Sequence, residues 1–191
     1  IGLAKQLLSA LPGLNGTYDI KYVFTLVNYG VNTLEQVSLR DNLGQVFSGA
    51  EVEVKTVTAY GGLKENSYFN GQSITELLEN TSTLAGGEEA KVELFISVKP
   101  GANGGVFLNS ATAEAISSVN GIKVSDVSTN GIKPDPQTAN DVSPSERTPV
   151  QLDAMPTYVP KGFSPNGDGQ NDKFIIQNAQ GKHISLEVYN R

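Results

Sequence analysis

The sequence predicts an all-β protein: an immunoglobulin-like β-sandwich followed by a truncated second β-sandwich unit. Two observations carry this prediction. From Tyr18 to Leu26, the apolar residues Tyr18, Ile20, Tyr22, Phe24 and Leu26 alternate with Asp19, Lys21, Val23 and Thr25. Ala90, Val92, Leu94, Ile96 and Val98 repeat the pattern opposite Glu89, Lys91 and Glu93. Successive side chains of a strand point to opposite faces, so this period of two marks strands with one buried face. The second observation is the punctuation: Asn28-Tyr29-Gly30, Gly61-Gly62, Gly86-Gly87, Lys99-Pro100-Gly101 and Asn120-Gly121 divide the chain into short runs. Roughly seven short strands separated by such turns suit a sandwich.

The elements follow in order. Leu3, Leu7, Leu8 and Leu11 recur at helical spacing, and local propensity alone favours a short amphipathic helix there. After the Tyr18–Leu26 strand, Val37 and Leu39 flank Ser38 in a short strand ending at Arg40-Asp41-Asn42. Val52 and Val54 alternate with Glu51, Glu53 and Lys55, and Ser73 to Leu78 has the length of one helical turn. Further strands are expected from Phe107 to Ile116 and from Ile122 to Val127, with Asn120-Gly121 as the hairpin turn between them. The Cys…Trp…Cys core of antibody domains is absent, since the chain has no Cys and no Trp.

The organisation reads as a sandwich over residues 1–132, a linker over 133–154 and a second unit over 155–191. Pro134, Pro136, Pro144 and Pro149 interrupt a run rich in Asp, Asn, Ser and Thr, which buries too little apolar surface to fold alone. Apolar runs resume at Tyr158-Val159, Phe174-Ile175-Ile176 and Ile184, Leu186 and Val188. Three such strands make a poor independent core, so the second unit reads as cut short.

Composition limits the function. Within 191 residues, 14 Lys and Arg against 20 Asp and Glu give a formal net charge of -6. With no basic cluster, a nucleic-acid partner is not expected. No apolar run reaches the roughly 18 residues of a membrane span. Without cysteine there is no thiol nucleophile, and the one histidine, His183, has no nucleophile beside it in sequence. No catalytic constellation emerges, and the expectation is a protein that is not an enzyme. A Lys–Asn isopeptide crosslink depends on buried geometry and is not legible in sequence.

The densest chemical signal is Phe163-Ser164-Pro165-Asn166-Gly167-Asp168-Gly169-Gln170-Asn171-Asp172. Asn166, Asp168, Gln170 and Asp172 place oxygen-bearing side chains at every second position of a Gly- and Pro-rich loop. One reading is a Ca2+ site, because alternating oxygens of a tight loop can converge on a hard cation. The other is a turn whose Asn and Asp side chains bond their own backbone. The spacing is not that of an EF-hand, since Gln177 stands at the twelfth position from Asn166. Asp126, Asn130, Asp135, Asn140 and Asp141 form a second oxygen-rich region, read either as a Ca2+-stiffened joint or as a solvated linker.

The stretch Tyr158 to Asp172, with Leu186-Glu187-Val188-Tyr189-Asn190-Arg191, resembles the gliding-motility-associated C-terminal domain. Members of that family continue for several strands past the Asn-Arg pair. Ile1 to Lys5, Asn15-Gly16-Thr17-Tyr18, Val27-Asn28-Tyr29-Gly30, Leu34 and Asp41-Asn42-Leu43 resemble the domain-of-unknown-function repeats of bacterial surface adhesins, and Asp126 to Gly131, with Pro134-Asp135-Pro136 and Thr148-Pro149-Val150, resembles how those repeats close. That second resemblance favours extended structure at Ile1 to Lys5 over the helix. Together the resemblances imply the C-terminal segment of a secreted cell-surface adhesin ending in a type B sorting signal of the type IX secretion system. The implied partners are the outer-membrane translocon and a tethering outer-membrane barrel. The expected partner-binding residues are Phe163, Pro165, Asn166, Asp168, Asn171, Asp172, Asn190 and Arg191. The alternative functions are a carbohydrate-binding module or an accessory module of a secreted hydrolase.

Overall fold

The computed structural model describes residues 1–101, 104–134, 146–154, 159–160, 162–169, 172–176, 185 and 187. The chain is all-β and sandwich-like. Its strands are β1 (Gly2–Pro12), β2 (Tyr18–Val27), β3 (Leu34–Arg40), β4 (Glu51–Ala59) and β5 (Glu89–Lys99), followed by β6 (Gly105–Asn109), β7 (Thr112–Ser117), β8 (Lys123–Val127), β9 (Thr129–Asn130) and β10 (Thr148–Leu152). One helical turn, α1 (Leu43–Val46), follows β3 and is capped by Asn42, whose side chain accepts from the Gln45 N–H at 3.0 Å.

The largest sheet runs β4-β5-β2-β1-β9; a three-stranded sheet runs β3-β7-β8, and β10 pairs with β6. The alternation seen in sequence is what the structure uses. Ile20, Tyr22, Phe24 and Leu26 of β2 and Val92, Leu94, Ile96 and Val98 of β5 are buried, facing a core completed by Val37, Leu39, Ala113 and Ala115. Each buried Val, Leu, Ile or Phe side chain, removed from water, contributes about 1.5–3 kcal/mol before entropy is counted.

The N-terminal leucines form a strand, not a helix. Pairing decides the matter: β1 makes an antiparallel ladder with β2 from Gly2↔Val27 to Pro12↔Tyr18 and a short parallel one with β9. A free helix of this length would be marginal in water, whereas the ladder satisfies the backbone and buries Leu3.

Residues 60–88 carry no long element yet are packed. Leu63, Phe69, Leu77, Leu78 and Leu84 from this segment are buried. Leu34 and Leu84 exchange both backbone hydrogen bonds at 2.9 Å, Val37 N donates to Ser82 O, and Leu77 N donates to Leu39 O. The segment therefore covers the free edge of β3, which would otherwise present unpaired N–H and C=O groups. Ser73 to Leu78 is not helical: Glu76 bridges to Arg40 and Leu78 to Glu65.

Two boundaries differ from the sequence expectation. The single strand expected from Phe107 to Ile116 is two, β6 and β7, because the chain changes sheets at Ser110-Ala111. Ser128 pins the crossover, its Oγ accepting from Ala111 N and its N–H donating to Ala111 O, both at 2.9 Å. The span read as linker contains β10. Its residues pair with β6 from Thr148↔Asn109 to Leu152↔Gly105, and Thr148, Val150 and Leu152 are buried. The alternation Thr148, Val150, Leu152 gives β10 an inward face, and Pro149, at an exposed position, is tolerated on this two-stranded edge. Among the described residues after Leu152 no strand is assigned, Phe174-Ile175-Ile176 included; Tyr158, Ile184, Leu186 and Val188 lie outside the described residues.

Candidate functional site

Residues 163–169 of the loop singled out by sequence are exposed, and the turn closes on itself through Asp172. Gly167 N and Gly169 N each donate to a different oxygen of Asp172 at 2.8 Å. Asn166 Nδ2 donates to Asp168 Oδ2 at 2.9 Å, and Asn166 Oδ1 accepts from Asp168 N at 3.3 Å. Gly167 and Gly169 adopt φ of 79° and 81°, which points both amides at one carboxylate and is open to glycine at little cost. Those two amide bonds, with a smaller contribution from the Asn166 N–H, hold the Asp172 carboxyl below the usual carboxylate range.

Phe163 stands half exposed and packs edge-on against Phe174, ring centroids 5.9 Å apart at 70°. Pro165 is exposed. The structure thus brings Asn166, Asp168 and Asp172 together, with Phe163 and Pro165 leading into the turn. Gln170, Asn171, Asn190 and Arg191 lie outside the described residues. Asp172 directs its oxygens at backbone amides, the arrangement of the self-bonded turn.

The second oxygen-rich region is divided between structural roles. Asp126 is buried and accepts the Leu3 N–H through Oδ2 at 2.6 Å. Asn130 pairs with Lys5 in the β1–β9 ladder. Asp135, Asn140 and Asp141 lie outside the described residues. An open groove of about 560 Å3 crosses β3, β7 and β8, with Gln36, Arg40, Glu76, Asn80, Glu114 and Lys123 among its walls. Its lining contains no aromatic ring, the usual platform for a sugar.

A cluster that sequence reasoning missed lies inside the sandwich. Lys5, Asp41 and Asn109 are each buried. Lys5 Nζ lies 2.5 Å from Asp41 Oδ2, and Asn109 Nδ2 donates to that same oxygen at 3.3 Å. The rings of Tyr22 and Phe24 flank the amine, with centroids 4.5 and 5.0 Å from Nζ. Burial pushes the Lys5 amine below the usual lysine range, against the opposing pull of Asp41. Burial, then the Asp41 charge, drives the Tyr22 phenol upward, and its hydroxyl faces the Asn109 side chain without closing a regular hydrogen bond.

Three elements position this cluster. The Lys5 carbonyl accepts from Gly131 N at 3.0 Å and from Thr148 Oγ1 at 2.8 Å, fixing β1. Asp41 follows β3 and is held by its N–H to Thr75 O at 2.9 Å. Asn109 ends β6 opposite Thr148. The three residues are scattered over the chain; the one sequence clue is the place of Lys5 in β1, where its register with Phe24 follows from strand pairing alone.

The fold and these sites define an all-β, sandwich-like protein with an exposed Asx-rich turn and a buried amine–acid–amide cluster. No protein-family model matches the chain, and no curated protein matches it in sequence.

Proposed function

We propose that this chain is a segment of a secreted cell-surface adhesin, in which an immunoglobulin-like stalk module precedes a type IX sorting and anchoring segment. The role is recognition and not chemistry. The observation that supports it is the turn beginning at Phe163: Asn166, Asp168 and Asp172 are bonded within it while Phe163 and Pro165 stay accessible. A pre-shaped loop loses little entropy on docking, which suits an address read by an outer-membrane translocon and a tethering barrel. The polar groove walled by Arg40, Glu76 and Glu114 lacks the aromatic platform of a sugar site, so the carbohydrate-binding reading ranks second.

The test is export. In cells with a type IX translocon, replacing Phe163, Asn166 and Asp168 together with alanine is expected to abolish surface display without lowering the amount of protein made. Undiminished surface display of that variant overturns the reading.

A further inference from the structure

The Lys5–Asp41–Asn109 cluster puts a primary amine and a carboxamide on one carboxylate oxygen, out of contact with water. As an ion pair this is an uneconomical core. Taking an ammonium and a carboxylate out of water is costly for each ion, and the arrangement recovers that only if the remaining polar atoms are bonded. They are not. Among the described residues, Asp41 Oδ1 and Asn109 Oδ1 are buried without hydrogen-bond partners. Two orphaned oxygens on adjoining side chains call for an explanation.

We infer that Lys5 and Asn109 are joined by a self-formed isopeptide bond, with Asp41 as the acid–base that assembles it. Passing one proton from Lys5 Nζ to Asp41 leaves a neutral amine and a carboxylic acid, which removes both charges from a low-dielectric interior. A half-turn of the Asn109 amide presents Oδ1 to the acid proton, which polarises the carbonyl. Nζ then attacks Cγ of Asn109, and the C–N bond forms as the carbonyl π pair moves to oxygen. Asp41 takes a proton from the attacking nitrogen and delivers one to Nδ2. The Cγ–Nδ2 bond breaks, ammonia leaves, and Asp41 ends as a neutral acid.

Atoms and charge balance: an amine and a primary amide become a secondary amide and ammonia, with no oxidant or cofactor required. The product also settles the orphaned atoms. The new amide N–H donates to one Asp41 oxygen, and the Asp41 O–H donates to the former Oδ1 of Asn109. The aromatic walls of Tyr22 and Phe24 serve the chemistry by keeping the amine unsolvated and water away from the polarised carbonyl.

Intact-mass measurement of the full chain tests this. The expected mass is about 17 Da below that of the sequence, the loss of one ammonia. Tryptic digestion is expected to leave the bond after Lys5 uncut and to join the peptide ending at Lys21 to the one that contains Asn109 and ends at Lys123. Asp41→Asn and Asn109→Ala are each expected to restore the full mass. An unshifted mass for the unsubstituted chain overturns the proposal. So does a shifted mass that maps to a linear peptide, because succinimide formation at an Asn-Gly step such as Asn120-Gly121 loses the same ammonia. A joined peptide persisting in Asp41→Asn overturns the role of Asp41. The unsubstituted chain decides the bond itself even where a variant fails to fold.

Discussion

The backbone N–H of Leu3 donates to Asp126 Oδ2 at 2.6 Å, fastening the first strand to a residue 123 positions along the chain. Because Leu3 is buried, no water replaces this acceptor when it is removed. Asp126→Ala is therefore expected to destabilise the fold by about 2 kcal/mol, the cost of leaving a buried donor unsatisfied. Asp126→Asn keeps an acceptor oxygen and is expected to lose less. Denaturant midpoints for the two variants check the order; equal midpoints would show that the contact contributes nothing.

Strand β10 carries the second prediction. Leu152 is fully buried at the end of the β10–β6 ladder, so Leu152→Ala deletes core volume and is expected to cost about 2–4 kcal/mol. A chain ended at residue 134 loses all of β10 and is expected to unfold at much lower denaturant than one ended at 154. Equal stability of the two would return residues 146–154 to the linker.

Two glycines separate backbone strain from steric clash. Gly71 has φ of 69°, and a Cβ there would stand 2.4 Å from Leu43 Cδ1 in the core. Gly87 has φ of 74°, and a Cβ there would meet nothing within 4 Å. Gly87→Ala is expected to cost about 1 kcal/mol, the left-handed penalty alone. Gly71→Ala is expected to cost clearly more, since Leu43 must also move. Thermal or chemical denaturation that ranks them the other way would place the strain elsewhere.

The Asp172 turn has a pH dependence with a definite sign. Its carboxyl is held below the usual range by the Gly167 and Gly169 amides, so the folded turn favours the ionised form. Whatever the turn gains from these bonds is present above the unfolded-state pKa and lost as pH falls through the lower folded value. The Gly167 and Gly169 amide resonances are expected to move together in an NMR titration, with a midpoint below that of a free aspartate. In Asp172→Asn that shared transition is expected to vanish. Independent movement of the two resonances would contradict the shared carboxylate.

Most of the sandwich was legible because its signal is local. The alternation in Tyr18–Leu26 and Ala90–Val98 states which face is buried, and Asn120-Gly121 states where β7 turns into β8: Ser117 N donates to Ile122 O at 2.9 Å across that turn. What escaped depends on partners distant in sequence. β10 looked like linker because Pro149 and the polar run before it mask a three-residue inward face that gains meaning only against β6. The 60–88 segment carries no period because it is held by bonds to the edge of β3, each fixed by its own geometry. The Asx turn was visible as a cluster of oxygens, yet the direction of the Asp172 oxygens, toward the Gly167 and Gly169 amides, is a matter of φ and not of composition. Lys5 was invisible as a reactive group: an isolated lysine in a strand reads as a solvated side chain, and only the fold shows it lying against Tyr22 and Phe24.

The register of β10 on β6 sets how the molecule would answer a mechanical pull. Thr148 lies opposite Asn109 and Leu152 opposite Gly105. If the first strand is bonded to Asn109, tension arriving through Lys5 enters β6 at its Asn109 end and leaves β10 at its Leu152 end, the diagonally opposite corner of the ladder. The cross-strand bonds lie perpendicular to both strands, so this load slides one strand past the other and falls on the whole ladder at once. A pull from a single corner would instead open the rungs one at a time. Residues 6–104, within the ring closed by the bond, would be bypassed by that tension, and the first part of the molecule to lengthen would be the chain between β6 and β10.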